Sequence, residues 1–285
     1  LAAGVFKRFE EMFRAVRGML VVPTSGRFTR AQFNGRAHLV LTMCHWLRGW
    51  SVRAYETDQY AWVAEQVVAL LVHGLAGRKA RWKRAAGRPA WELGGTPLES
   101  VAQAFLRAAT ELINEQGYRG ASVEKISARL NVTKGSFYHH IERKDDLVGA
   151  CFERSFAVLR LALARAAGEP GNGWDKVHAA ASELVRFQLS DEGPLLRSSA
   201  ATALPERARR SALRIRDHLA WQLRCLLVQG MQDGSIRPVD SVVAAYVLLE
   251  AINAAAELRR WVPGATMDSA VPEDLHPMLG GLRAS

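Results

Sequence analysis

The stretch SVEKISARLNVTKGSFYHHIERKDDLV, residues 122–148, decides the reading of this chain. Val123, Ile126 and Leu130 return at three- and four-residue intervals, so they share one face of a short helix. Ser122 precedes them, and its hydroxyl can accept from the open N–H groups of the first turn, which makes it the cap. Asn131 ends this helix and Thr133 caps the next, where Val132, Phe137 and Ile141 form the packed side. Lys134, Ser136, Tyr138, His139 and His140 are left for the outside. Two short helices joined by a turn of about four residues make a helix-turn-helix, whose second helix can enter a major groove.

The outward residues suit that use. Lys134 sits at a helix start, where its ammonium and free backbone N–H groups both attract phosphate. Gly135 has no side chain, so backbone can approach a duplex closely. Tyr138 and His139 carry donors on short, stiff side chains, better suited to positioning on phosphates than to reading bases. Lys144 opens a further helix near the same surface. Upstream, Val101, Phe105, Ala108, Leu112 and Ile113 share one face of a helix that stops at Gly117, a residue type favoured at helix C-termini.

Composition agrees with this reading. The 285 residues are 49% hydrophobic and 23% charged, which fits a folded protein of about two domains and excludes a disordered or collagenous chain. Lys and Arg total 38 against 28 acids, and the net charge of +10 makes nucleic acid the first partner to consider. Glu65 and Gln66 break one apolar stretch, and Glu250 and Asn253 another, so no uninterrupted run reaches the roughly 18 residues of a spanning helix; no membrane role is expected. Cys44, Cys151 and Cys225 are far apart and form no C-x-x-C pair, which encodes neither a disulfide framework nor a zinc site and fits a reducing, cytoplasmic setting. Adjacent His139 and His140 point about 100° apart on a helix, a poor start for a metal site. No nucleophile motif, phosphate loop or carboxylate pair supports an enzyme, and no cofactor or metal is expected.

The remaining periodic stretches are helical too, so the fold class is all-α. Residues 5–20 form one helix. Residues 30–50 form a second, capped by Thr29, with Phe33, Ala37, Val40, Leu41, Cys44 and Leu47 on its apolar stripe, and residues 58–75 form a third that stops at Gly77. RKARWKRAAGR, residues 78–88, has six basic residues and no acid; it reads as a solvated connector or a phosphate contact. The tryptophans Trp46, Trp50, Trp174, Trp221 and Trp261 fit core or interface positions, with an apolar pocket as the other option.

A weak internal repeat links the two ends. RGML at 17–20 is matched by QGMQ at 229–232, LRGW at 47–50 by LRRW at 258–261, and HGLAG at 73–77 by GGLRA at 280–284, in the same order and at similar spacing. Duplication is the preferred explanation.

The segment T-K-G-S-F-Y-H-H followed by K-x-x-L resembles the DNA-binding domain of the TetR family of bacterial transcription regulators. The resemblance implies that Ser122, Thr133, Lys134, Ser136, Tyr138, His139 and Lys144 contact DNA, and that the remaining helices form a dimerisation and effector-binding domain. It also implies an apolar cavity in the last part of the chain, with Phe187 and Trp221 as candidate walls. DGSIRPVD at 233–240 followed by two helices fits such a domain, while MCHWLRGW and YAWVAEQVVALLVHGLAG resemble the last two helices of members sensing acyl-CoA-like ligands.

One departure is plain: family members begin with the head, whereas here residues 1–97 precede it. A tandem protein accounts for this. Residues 1–77 would be the end of a first effector and dimerisation domain, 78–97 a basic linker, 98–145 the head and 146–285 a second effector and dimerisation domain. The chain opens at Leu1 without an initiator Met, so the first head is expected upstream. Residues 30–50 should then pack on residues 240–261 of the same chain as an intramolecular pseudo-dimer. The functional expectation is a repressor of a double-stranded operator, released by a small apolar effector. The alternative is a helical interaction or scaffold protein with a weak or vestigial head, which a salt-dependent, sequence-preferring DNA shift separates from a regulator.

Overall fold

Helical spacing of apolar residues is realised throughout the computed structural model, which describes residues 2–21, 28–82, 101–131 and 144–283. Every regular element among these residues is a helix, apart from an isolated bridge between Ala76 and Ile236. The first part of the chain gives α1 (Ala2–Leu20), α2 (Arg30–Ala54) and α3 (Tyr60–His73). Then come α4 (Val101–Gly120), broken at Gly117, and α5 (Val123–Arg129). The rest is α6 (Lys144–Gly168), α7 (Gly173–Gln188), α8 (Glu206–Asp233), α9 (Ser241–Ala254), α10 (Leu258–Trp261), α11 (Met267–Ala270) and α12 (His276–Gly280).

Local sequence sets the ends of these helices. Thr29 caps α2 in a capping box with Gln32, satisfying two end N–H groups reciprocally. The Asp240 carboxylate does the same for α9, accepting from the N–H groups of Val242 and Val243. Helix α3 stops at Gly74, three residues before the Gly77 expected from sequence, because Gly74 adopts φ 64°. Within α8, Leu219, Ala220, Leu223, Leu226 and Leu227 are buried, a spacing that turns one stripe inward.

The apolar stripe expected on α2 is corrected. Ala37 is buried, but Phe33, Val40, Leu41 and Leu47 are only partly covered and Cys44 is exposed. The buried set is instead Asn34, Gly35, Arg36, Ala37, His38, Leu39, Thr42, Met43, Trp50 and Ser51. The reason is that α2 is covered from several sides, by α1, α9 and the 271–275 turn, and hydrogen bonds between elements keep polar groups inside. Asn34 donates to the Trp261 carbonyl at 2.7 Å and Arg36 to the Leu282 carbonyl at 2.8 Å.

The contact between the two ends of the chain is reciprocal. Trp50 of α2 stacks on Tyr246 of α9 at 5.1 Å and 5°, while Trp261 is held through its carbonyl by Asn34 of α2. Trp50 follows the Thr29 cap of α2 at the same interval at which Trp261, in α10, follows the Asp240 cap of α9. The helix ends pair likewise: Leu75 N–H donates to Leu279 O at 2.7 Å and Leu282 N–H to Leu71 O at 2.8 Å. Gly74 and Gly281 both have positive φ, and a Cβ on either would meet backbone of the opposite helix end at 2.4–2.5 Å. Ser241–Trp261 is long and apolar enough to cross a membrane, but most of it is buried inside the protein, as in a core helix.

Candidate DNA-binding head and effector cavity

The head is built on the apolar faces expected from sequence. Phe105, Ala108, Leu112 and Ile113 of α4 are buried with Ile126 of α5 and Leu147, Val148 and Cys151 of α6. Val123 and Leu130 pack on this core while partly exposed. Gly117 has φ 72°, breaking α4 before Ala121 turns inward, and Asn131 after α5 has φ 54°. Ser122 accepts from Lys125 N–H at 3.3 Å, so its hydroxyl serves as the α5 cap. Lys125 reaches back to Gln116 Oε1 and Gly120 O, and Arg129 pairs with Glu115 at 3.1 Å. These contacts fix α5 against α4.

Tyr118 is a head residue that the sequence reading did not single out. Its hydroxyl donates to Asp145 at 2.6 Å, and Lys144 Nζ lies 4.3 Å from the ring centroid. The Asp145 hydrogen bond, followed by burial, pushes the Tyr118 phenol up to about 12, while burial lowers the Lys144 ammonium from its ordinary value. Lys144 is thus held beside the α4–α5 junction. The aromatic residue directly after the Gly117 break was the available signal. Thr133, Lys134, Gly135, Ser136, Tyr138 and His139 lie outside the described residues, so of the DNA-facing set only Ser122 and Lys144 are placed.

Helix α6 begins in the head and runs into the body. Leu147, Val148 and Cys151 complete the head core, and Phe152, Ser155 and Phe156, one turn on, line a cavity. Its interior is about 40 Å³, with walls that include Leu195 and Leu196, Leu213 of α8 and Leu249 of α9. By the scale of a single buried water, about 10–15 Å³, this is room for about three waters or a few ligand atoms. The two candidate walls from sequence do not line it. Phe187 is buried elsewhere, with the Arg154 guanidinium 5.7 Å from its ring. Trp221 is 56% exposed, because α8 turns Ala212, Arg216 and Leu219 to the cavity and position 221 falls on another face.

The 195–198 segment joins cavity and head. Asn114 of α4 donates to Leu195 O at 2.9 Å and accepts from Arg197 N–H at 3.0 Å. Ser155 accepts from Leu196 N–H at 2.8 Å, Gln188 from Leu195 N–H at 2.8 Å and Asn253 from Ser198 N–H at 3.3 Å. The wall is therefore suspended between the head and three body helices.

Two charged side chains stand in the cavity lining, beside the polar Ser155, Ser198 and Asn253. Arg216 Nη1 is 3.3 Å from Glu250 Oε1, and Glu250 is 3% exposed; burial raises its carboxyl, against the nearby Arg216 and Arg53.

The start of the basic segment is not a free connector. Lys79 donates to Asp233 O at 2.8 Å, Trp174 Nε1 donates to Arg81 O at 3.0 Å, and Trp82 lies edge-on to Trp174 at 4.9 Å. Residues 83–97 lie outside the described residues.

Among the described residues, an all-helical body is joined to the α4–α5 pair by the shared helix α6. Residues 105–151 match the family described as bacterial regulatory proteins, tetR family. The Transposon Tn10 TetC protein of Escherichia coli is 32% identical over 98 residues, which are 34% of this chain and 49% of TetC; the chain spans about half the length of that relative. The HTH-type transcriptional repressor DhaR of Mycobacterium sp. (strain GP1) is 28% identical over 143 residues, 48% of this chain and 70% of DhaR. The crystal structure of AibR in complex with isovaleryl coenzyme A and operator DNA is similar in fold, with a TM-score of 0.52 and 23% identity over 63% of this chain and 97% of that one.

Proposed function

We propose that the protein is an effector-responsive, DNA-binding transcription regulator of the cytoplasm, acting as a repressor. The observation that carries this reading is the sharing of structure between head and cavity: α6 contributes to both, and Asn114 ties the cavity wall to α4. A ligand that displaces Phe152, Phe156 or the 195–198 segment would shift the head relative to the body, which lowers affinity for a duplex that requires fixed head geometry. In support, DhaR is a repressor by name and AibR was solved with a coenzyme A thioester and operator DNA. Ser122, Thr133, Lys134, Gly135, Ser136, Tyr138, His139 and Lys144 are proposed as the DNA-facing residues.

The same reading takes the chain as a tandem of two effector and dimerisation units, residues 1–77 and 146–285, with 78–97 between the first unit and the head at 98–145. Reciprocal packing of Trp50 on Tyr246 and Asn34 on Trp261, with paired helix ends at Gly74 and Gly281, supports an intramolecular pseudo-dimer. The test is operator selection from random duplexes, followed by release with candidate effectors. Enrichment of one sequence and its release support the reading; no enrichment sinks it.

A further inference from the structure

The proposed effector cavity contains an unused anion-binding edge. Arg216 spends Nη1 on Glu250 Oε1, while its Nε and Nη2 are shielded from solvent and have no hydrogen-bond partner. Those two groups lie along one side of the planar guanidinium, the side that meets two carboxylate oxygens in parallel. Glu250 Oε2 is also buried without a partner. Three buried, unpaired polar atoms on two side chains of the cavity lining are a costly arrangement, which a bound polar group would relieve once Arg216 turns toward it.

Building on the effector reading above, we propose that the cavity binds a short apolar carboxylic acid, its carboxylate paired side-on with Arg216 and its body against Phe152, Phe156, Leu195 and Leu249. The interior of about 40 Å³ excludes a long acyl chain, and a short chain or one ring enters it by displacing Phe152 or Phe156, the movement that the effector reading requires. An amide or an alcohol offers a single uncharged oxygen to the same edge, so neither forms the parallel, charge-assisted pair. Burial raises the Glu250 carboxyl, against Arg216 and Arg53, and a second carboxylate beside Arg216 acts in the same upward direction.

The contact is wired to the rest of the protein. Arg216 lies 5.7 Å from the Tyr246 ring centroid, and the Tyr246 hydroxyl donates to Asp217, which also pairs with Arg53 of α2. Rotation of Arg216 toward a ligand would act on the Tyr246 ring that Trp50 covers.

The test is calorimetric titration of the full chain with hexanoate and benzoate, and with hexanamide, hexan-1-ol and toluene as comparators. Hexanoate or benzoate should bind at least tenfold tighter than every comparator. Arg216→Lys, which retains the charge opposite Glu250, should lose at least tenfold in acid affinity, and Glu250→Gln should retain it. Comparators binding as well as the acids, or Arg216→Lys binding hexanoate like the parent, would overturn the carboxylate assignment and leave the apolar effector cavity standing. Acid binding that leaves affinity for the selected operator unchanged would sink the effector reading and leave the carboxylate site standing. Binding by no compound of the panel overturns this assignment, while operator selection still tests the regulator independently.

Discussion

Asn114 and Arg197 are joined across the head–body boundary: the Arg197 N–H donates to Asn114 Oδ1 at 3.0 Å, while the Asn114 amide nitrogen donates to Leu195 O at 2.9 Å. One side chain on the first helix of the head thus holds both ends of a short backbone segment in the cavity wall. A shift in that wall is transmitted to α4 by two directional bonds rather than by loose packing.

Asn114→Ala should cost about 1–2 kcal/mol of stability, the net worth of two hydrogen bonds with partly buried partners. Its larger effect should be on coupling, with the change in operator affinity caused by saturating effector shrinking at least threefold. Fluorescence anisotropy with and without effector measures it. A full effector response in the variant would remove Asn114 from the coupling path.

In the head, Lys134→Ala should weaken operator binding and reduce the magnitude of the salt slope by about one unit, the signature of one lost phosphate contact. Tyr138→Phe should weaken binding with stability kept within about 0.5 kcal/mol, as for a surface position. Anisotropy over several salt concentrations, paired with thermal melts, checks both; unchanged affinity in both variants would refute the assigned face.

His178 supplies a pH prediction. Burial, with His276 nearby, pushes its imidazole down to about 4, so the folded protein favours the neutral ring. The folded value lies below the ordinary one of about 6.5, so this stability is full above about pH 6.5 and is lost as pH falls toward 4, by about 3 kcal/mol in all. His178→Phe, which keeps a ring beside Trp174 and Trp82, should flatten that part of the stability profile in urea melts. An equally steep acid loss in the variant would assign the effect to other groups.

Trp50→Ala should cost about 3–5 kcal/mol, as for a large buried aromatic. Combined with Tyr246→Ala it should show coupling of about 0.5–1.5 kcal/mol, because each ring is the other's stacking partner. If the contact lies within one chain, the melting temperature should not depend on protein concentration. A melting temperature that rises with concentration, together with loss of the dimer in Trp50→Ala, would place this contact between chains.

Much of this architecture was legible in the sequence. Helical periodicity, the Thr29 and Ser122 caps and the buried positions Phe105, Ala108, Leu112, Ile113 and Ile126 follow from local spacing, which acts within a few residues. What spacing does not encode is which of several neighbours covers a face. Helix α2 shows this, since cover from more than one side buried Asn34, Arg36 and His38 and left Cys44 exposed. Trp221 misled for a related reason: bulk suggested a wall, but its angular position on α8 relative to Ala212, Arg216 and Leu219 turns it outward. The Arg216–Glu250 pair and the two bonds of Asn114 join residues 34 or more positions apart, and no local pattern announces them.

On the proposed function, this head reads an operator and the cavity controls it. The most direct measurement is the affinity of the full chain for its selected duplex and for a scrambled duplex of equal length, across a salt series, with and without hexanoate. The account predicts a sequence preference of at least a hundredfold, affinity that falls steeply with salt, and weaker binding to the selected duplex when the acid is present. Equal, weak affinity for both duplexes, unmoved by the acid, would contradict it and favour a helical interaction protein with a vestigial head.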